Sequence, residues 1–374
     1  MKIALVVPGG VDRSGEVRVV PALLALIKRL AARHELHVYT LRQEAGPGDW
    51  PLLGAQVHNI GGYSRLSPWR CVAAIRAEHR KRAFDAVQAI WSGHGGFAAV
   101  LAARSLGLPC AVHLAGGELV ALASIGYGGR LDWRGRLREA LVLRGANRLT
   151  AASAPMLDQL AALGHRAQRL PLGVDLDTWP LRAPEARDDP QAPLRLIHVA
   201  SINRVKDPST LMYAMAMLAR MGTDFHLDLV GEDTLNGQIQ ALAQRLGLSG
   251  QVRFHGFQTR SETWQLMAQA HVHLVSSLHE AGPLALLEAA VAGLPSVGTR
   301  VGHLAEWAGD AALAVEVGDA QGLALAVQQL GRDEGLRLKL AHEAQRRAVR
   351  EDADHSAALM EAMWDGLSAS WGGG

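Results

Sequence analysis

The amino-acid sequence predicts an α/β protein of two similar halves, each a parallel β-sheet flanked by helices. Three observations carry that prediction. Short apolar runs of strand length alternate with longer segments of helical periodicity along nearly all 374 residues. A stretch rich in proline and acids, with Pro180, Pro184, Pro190 and Pro193, interrupts the alternation. The same rhythm then restarts at Leu194.

Residues 3–7 (Ile-Ala-Leu-Val-Val) read as a first buried strand ending in a loop with Gly9 and Gly10. A helix is expected over 16–33, with Leu23, Leu24, Ile27, Leu30 and Ala31 on its inner face. A strand at 37–40 completes a βαβ start, which implies a parallel sheet. Further strands are expected at 57–60, 86–90, 110–114, 148–151 and 168–171, with helices around 68–82, 96–106, 134–145 and 155–163. The second half offers strands at 194–199, 225–230, 252–255, 271–275 and 295–298, then helical segments at 323–350 and 354–367. The expected organisation is a first domain over 1–178, a linker over 179–193, a second domain over 194–351 and a terminal helical segment over 352–374. Two such domains suggest a ligand cleft between them.

A composition of 49% hydrophobic and 20% charged residues is that of a globular enzyme rather than a disordered or fibrous chain. Two cysteines, Cys71 and Cys110, supply no disulfide framework. The N-terminal apolar run is too short for a signal peptide and no later run is long enough to span a membrane, so a cytoplasmic protein is expected. The net charge of +2 hides an asymmetry: residues 1–180 hold 22 Lys and Arg against 13 Asp and Glu, and the remainder 16 against 23. A basic first half can attract an anionic surface, an acidic polymer or a phosphorylated acceptor; scattered arginines that only solvate the domain would give the same count. The Arg134, Arg136, Arg138 and Arg144 series could meet an anionic membrane face, peripheral at the inner membrane. Nucleic acid is not an expected partner, because aromatics are 5% and no basic stripe interleaves with them.

The most informative stretch runs from Ser276 to Ala290. An apolar strand precedes it, Pro283 suits a first helical position, and Leu284, Leu287, Ala290 and Val291 recur at helical spacing until Gly293-Leu294-Pro295. A helix starting at the carboxyl end of a strand presents unpaired N–H groups and partial positive charge, a seat for a diphosphate. Glu280 lies before that helix and Glu288 on its second turn, on the stripe of Leu284. On spacing alone the pair fits equally well a loop acid followed by a solvated helix acid.

Glu280, seven residues and Glu288, with Gly282-Pro283-Leu284 inside and Ala289-Ala290 after, resemble the signature of family 4 of the retaining glycosyltransferases, of GT-B fold. The likeness covers essentially the whole chain. It implies two Rossmann-like domains facing across a cleft, the first taking an acceptor and the second a nucleotide-diphospho-sugar, UDP- or GDP-linked, with the last helix crossing back to the first domain. No cofactor and no metal are implied. Glu280 would hydrogen-bond the transferred sugar, Glu288 the ribose, and the backbone of Ala281, Gly282, Pro283 and Leu284 would hold the diphosphate. Lys206 falls on the family's diphosphate lysine, but Ser201 stands where its arginine usually is, and Arg204 is the candidate replacement. Gly231 and Glu232 resemble the Gly-acid turn below the nucleotide, although Gly231 fits an ordinary turn nearly as well. Phe257 is the candidate for the base, with core packing as its competing role. In the first half, Gly10 and Gly15 resemble the glycine-rich loop, Gly15 being favoured for the donor site, and Gly116 and Gly117 a second glycine pair. The histidine usual before that pair is Ala115 here. His113, sharing a strand direction with Ala115, and His94 are candidates to replace it, against the commoner role of a core histidine for His113. Asp175-Leu176-Asp177 reads as a turn rather than a metal site. The activity implied is retaining transfer of a sugar to an acceptor hydroxyl. A nucleotide-sugar epimerase or phosphorylase on the same fold, or a silent nucleotide-sugar-binding protein, are the alternatives.

Overall fold

The computed structural model describes residues 1–62 and 64–371, which divide into two compact units: Met1–Asp175 with the segment from Glu351 onward, and Leu176–Arg350. The first unit runs β1 (Lys2–Val7), α1 (Pro21–Ala31), β2 (Glu35–Thr40), β3 (Gly48–Leu52), β4 (Ala55–Asn59), α2 (Ser67–Lys81), β5 (Ala86–Ile90), α3 (Phe97–Leu106), β6 (Cys110–Leu114), α4 (Trp133–Gly145), β7 (Arg148–Ala151), α5 (Ala154–Ala162) and β8 (Gln168–Arg169). Among the described residues these strands form an eight-stranded sheet in the order β3-β4-β2-β1-β5-β6-β7-β8. All pairings are parallel except β3 with β4. The sequence reading has no β3. Its Pro51 lacks a ladder N–H and is tolerated because the strand lies at the sheet edge.

The order reverses at β1, flanked by β2 and β5, so the loops leaving Val7 and Ile90 bound the crevice where open α/β sheets bind ligands. The helix expected from residue 16 begins at Pro21. Residues 11–20 instead return along the loop, the Val20 N–H donating to the Gly10 carbonyl at 3.1 Å, and Pro21 supplies a first residue that needs no N–H partner.

The second unit runs β9 (Leu194–Val199), α6 (Pro208–Arg220), β10 (Phe225–Val230), α7 (Gln238–Arg245), β11 (Val252–Gly256), α8 (Arg260–Gln269), β12 (Val272–Val275), α9 (Leu284–Val291), β13 (Ser296–Thr299), α10 (Gly302–Trp307), β14 (Ala312–Val315), α11 (Ala320–Arg332) and α12 (Glu334–Arg350). Its parallel sheet reads β11-β10-β9-β12-β13-β14, over a core that includes Leu196, Leu211, Met215, Phe225, Leu274 and Val327. Here the order reverses at β9, between β10 and β12. The single helix expected over 323–350 is two, broken at Asp333. The proline-rich stretch lies along this unit: Gln345 donates to the Arg182 carbonyl at 2.6 Å and Arg187 pairs with Glu334 at 3.1 Å.

The chain ends in α13 (Ala353–Trp371), which packs on α1 within the first unit. Trp364 is fully buried there and its indole N–H donates to the buried Gln88 amide oxygen at 3.1 Å. Arg33 pairs with Glu361 at 2.8 Å.

Candidate active site

In the second unit the loops leaving β9 and β12, adjacent strands at the reversal, carry the predicted donor residues. The Asn203 carboxamide oxygen accepts from the Val205 and Lys206 N–H groups, both at 3.1 Å, and folds Arg204–Lys206 into one tight turn. Two bonds fix that turn to the β12 loop: Leu278 N–H to the Val205 carbonyl and Ser276 Oγ to the Lys206 carbonyl, both at 2.8 Å. Asp207, at φ +45°, caps α6 through the Thr210 N–H at 3.2 Å and turns the chain away. Lys206 is therefore held from its backbone outward. Its ammonium donates to Glu280 Oε1 at 2.5 Å, and Ser277 Oγ donates to the same oxygen at 2.6 Å. Thr299 secures Ser277 in turn, donating to its carbonyl at 2.6 Å.

Helix α9 starts at Leu284, so Pro283 is the residue before the first turn rather than its first member, and no side chain caps this end. Of the first-turn N–H groups, that of Leu286 donates to the Pro283 carbonyl at 3.2 Å, and those of Leu284 and Ala285 are left for a ligand or water. A β-carbon on Gly282 would lie 2.6 Å from His303 Nε2, so the approach to α9 closes on the His303 ring, which is itself held by Glu306 at 2.8 Å. The carboxylate of Glu288, half-buried on the second turn, makes no hydrogen bond or ion pair among the described residues. Burial pushes its carboxyl up to about 7, against a lesser opposing pull from Arg260. Arg204 is exposed and has no ion-pair partner among the described residues.

Ser201, Glu232 and Phe257 are exposed at the ends of β9, β10 and β11, Phe257 at 66%. Such exposure rules out the core-packing role for Phe257. Gly231 has a backbone reason: at φ +145°, a β-carbon there would lie 2.0 Å from the Ala200 carbonyl oxygen. It lets the β9 and β10 loops cross, where Ile202 N–H donates to the Glu232 carbonyl at 2.8 Å.

In the first unit a cavity of about 830 Å³ opens at the reversal of strand order. Gly10, His94, Gly116 and Gly117 line it, together with Trp91, Tyr127, Arg18 and Arg42. Gly15 is not in its wall. It turns the outer loop, with its N–H on the Asp12 carbonyl at 3.0 Å. His113 is also absent from the wall: it is fully buried on β6, with Nδ1 and Thr150 Oγ1 2.9 Å apart, and burial pushes its imidazole down to about 3. The catalytic role expected for His113 is thereby corrected to a core one. His94, the other candidate, does line the cavity. Its Nε2 lies 3.3 Å from the Arg138 guanidinium, and burial, then Arg138 and Arg42, push it down to about 4, keeping it neutral near pH 7.

The sequence reading missed what shapes this cavity. The Glu118 carboxylate accepts from the N–H groups of Gly116 (2.7 Å), Ser92 (3.3 Å) and Ala115 (3.4 Å), tying the loops after β5 and β6 together. Trp91 takes φ +73°, unusual for a bulky residue, and so turns its ring against the Gly116 backbone. Arg42 is exposed and has no carboxylate partner among the described residues, whereas Arg18 is paired with Asp12.

Two doubly wound units, each with its polar residues gathered where the strand order reverses, are the GT-B form of a sugar-transferring enzyme. Residues 183–347 match the family model of glycosyl transferases group 1, and residues 19–173 that of the glycosyl transferase 4-like domain. The chain belongs to the group 1 glycosyltransferases of GT-B fold. EpsF of Bacillus subtilis, a glycosyltransferase by name, is 28% identical over 315 residues, 79% of this chain and 78% of its own length. The structure is similar to sucrose-phosphate synthase from Thermosynechococcus elongatus, with TM-score 0.83 and 20% identity over 99% of this chain and 100% of that one. It is also similar to Anabaena HepE in complex with UDP-glucose, with TM-score 0.74 and 19% identity over 98% and 100% of the two chains.

Proposed function

We propose that this glycosyltransferase moves a sugar from a nucleotide-diphospho-sugar to an acceptor hydroxyl with retention at the anomeric carbon. The observation that carries the reading is the Lys206–Glu280 pair fixed beside the uncapped start of α9, with the Glu288 carboxylate on the same helix unpartnered among the described residues. A diphosphate at the α9 N-terminus would meet first-turn N–H groups and the Lys206 ammonium, so negative charge growing on the leaving group is stabilised without a metal ion. Glu280, which orients Lys206, accepts a hydroxyl of the transferred sugar when the diphosphate takes over part of the ammonium. Glu288 accepts from the ribose hydroxyls, Phe257 offers an exposed ring to the base, and Arg204 adds a second cation. The acceptor oxygen bonds to the anomeric carbon on the face from which the nucleotide departs. The bond from that carbon to the phosphate oxygen breaks with its electron pair on the diphosphate, which also receives the acceptor proton.

The acceptor belongs in the first-unit cavity. Arg42 has no carboxylate partner among the described residues, and Glu118 is occupied by three N–H groups, so an acceptor bearing a phosphate or carboxylate fits best.

The test is a thermal-shift screen of nucleotide-sugars, starting with UDP-glucose because HepE holds it, followed by a nucleotide-release assay on the best binder. Release that depends on an anionic acceptor is expected. Conversion of the donor without acceptor would favour an epimerase, and binding without turnover a silent sugar-nucleotide receptor. Retention is read from the anomeric configuration of the product by NMR.

A further inference from the structure

Helix α4 is built the wrong way round for a helix that only packs. Its inward positions hold Gly135, Glu139, Val142 and Leu143, and Glu139, 4% exposed, is bonded to Arg130 at 2.7 Å. Its outward face carries Trp133, Leu137 and Leu141, exposed at 62%, 52% and 47%. Spaced by four residues, these three make one continuous apolar stripe along the helix. Leu131, also exposed, extends it into the preceding loop.

The stripe is edged with cations. At about 100° per residue, Arg134 falls on one side of it, Arg136 on the other and Arg144 within it, all exposed. The Arg134 guanidinium lies over the Trp133 ring, 5.4 Å from its centre. No acid on this segment offsets them: Glu139 faces inward, and the Asp132 carboxylate is occupied as the helix cap, accepting from the Gly135 N–H at 2.6 Å.

We propose that the outward face of α4 docks on an anionic lipid bilayer. The helix lies along the surface, Trp133, Leu137 and Leu141 enter the interfacial layer, and Arg134, Arg136 and Arg144 meet headgroup phosphates. A Trp-Leu stripe bordered by arginines on both sides matches a surface that is apolar below and anionic at its rim. A packing partner of protein would have to place carboxylates along both edges of one narrow groove. No helix among the described residues is long and apolar enough to cross a membrane, so the contact is a peripheral one. On the same helix, Arg138 meets His94 in the cavity wall, so the docking face adjoins that cavity. The inference stands on α4 itself and holds whichever donor or acceptor the enzyme uses.

The test is co-sedimentation of the full-length protein with vesicles of phosphatidylcholine alone and of phosphatidylcholine mixed with phosphatidylglycerol. Binding to the mixed vesicles only, weakened by salt, is expected. Leu137→Glu/Leu141→Glu should weaken it at least about tenfold and Arg134→Glu/Arg144→Glu by a similar factor, since each pair removes one of the two required attractions. All four sites are exposed, and an unchanged thermal melt checks that the variants fold. Failure to bind mixed vesicles, or equal binding by wild type and Leu137→Glu/Leu141→Glu, would overturn the inference. So would a dimer, seen by light scattering without lipid, that this double variant dissociates, because the stripe would then be covered by a second copy.

Discussion

The two units gather polar residues at the same topological place, the reversal of strand order, yet they handle charge there in opposite ways. In the second unit the cation already has its anion: Lys206 is locked on Glu280, and Ser277 and Thr299 hold that carboxylate's loop in place. In the first unit the acid is satisfied by backbone N–H groups and the Arg42 guanidinium has no carboxylate partner among the described residues. A cation that must meet charge created during a reaction gains from being positioned beforehand, because reorganisation during the step would cost rate. One that recognises a charge already present on its ligand gains from being unpaired, because nothing inside the protein has to be displaced. Under the proposed function, the second unit stabilises a departing diphosphate and the first recognises an arriving anion.

That contrast breaks most directly at Lys206. Lys206→Ala should lower kcat by about 10²-fold, roughly 2.7 kcal/mol, with a small change in acceptor KM. Steady-state kinetics with both substrates varied would check it. Unchanged turnover would remove Lys206 from the chemistry and leave Arg204 as the cation to examine.

Next in size is a stability effect confined to the first unit. Glu118→Ala leaves the N–H groups of Ser92, Ala115 and Gly116 without their acceptor in a partly enclosed loop, a loss of about 2 kcal/mol. Denaturant unfolding should show an earlier transition, while the donor affinity of the second unit stays as it was. A loss of donor binding without a loss of stability would mean that Glu118 serves the ligand and not the loop.

Arg42→Ala should raise acceptor KM by about tenfold for an anionic acceptor and leave kcat and donor KM nearly unchanged, as expected for one lost charge-assisted contact. An equal effect on an uncharged acceptor analogue would turn the cavity's role from charge recognition to shape.

How much of this was legible in the sequence follows from how local each feature is. The Glu280–Glu288 segment is a strand, a loop and a helix contiguous along the chain, so its order of elements could be read from the sequence, although spacing alone left the roles of the two acids open and put Pro283 inside the helix rather than before it. Asn203 and Glu118 went unread because what they do depends on backbone N–H groups that only the folded loops present. His113 was misread because alternation along a strand separates inside from outside only when one face is open. β6 lies between β5 and β7 in a sheet buried on both faces, so either direction leads into the core. The late start of α1 did have a signal: Pro21 fits a first helical position, whereas the apolar pattern ran on through Val17, Val19 and Val20. β3 had none, for Gly48-Asp49-Trp50-Pro51-Leu52 is a strand only because β4 is there to pair with it.

The smallest expected effect sharpens the contrast furthest, because it concerns a half-buried acid of the donor site whose carboxylate has no partner among the described residues. Glu288 titrates near 7 because it is buried, so the ionised fraction rises as pH passes upward through that value. If the carboxylate accepts ribose hydroxyls, donor KM should fall severalfold between about pH 6 and 8, and Glu288→Gln should flatten the dependence. The sign for stability is the reverse. The folded state holds the Glu288 proton up to about 7 while the unfolded chain releases it near the ordinary value of 4.5, so this group favours folding most below 4.5, and that contribution is lost as pH rises through about 7. Wild type should therefore lose stability relative to Glu288→Gln across the range in which its donor binding improves. Measuring both curves separates a carboxyl that recognises ligand from one that is merely buried: in the second case the stability curve still differs from the variant's, but donor KM is flat in both proteins.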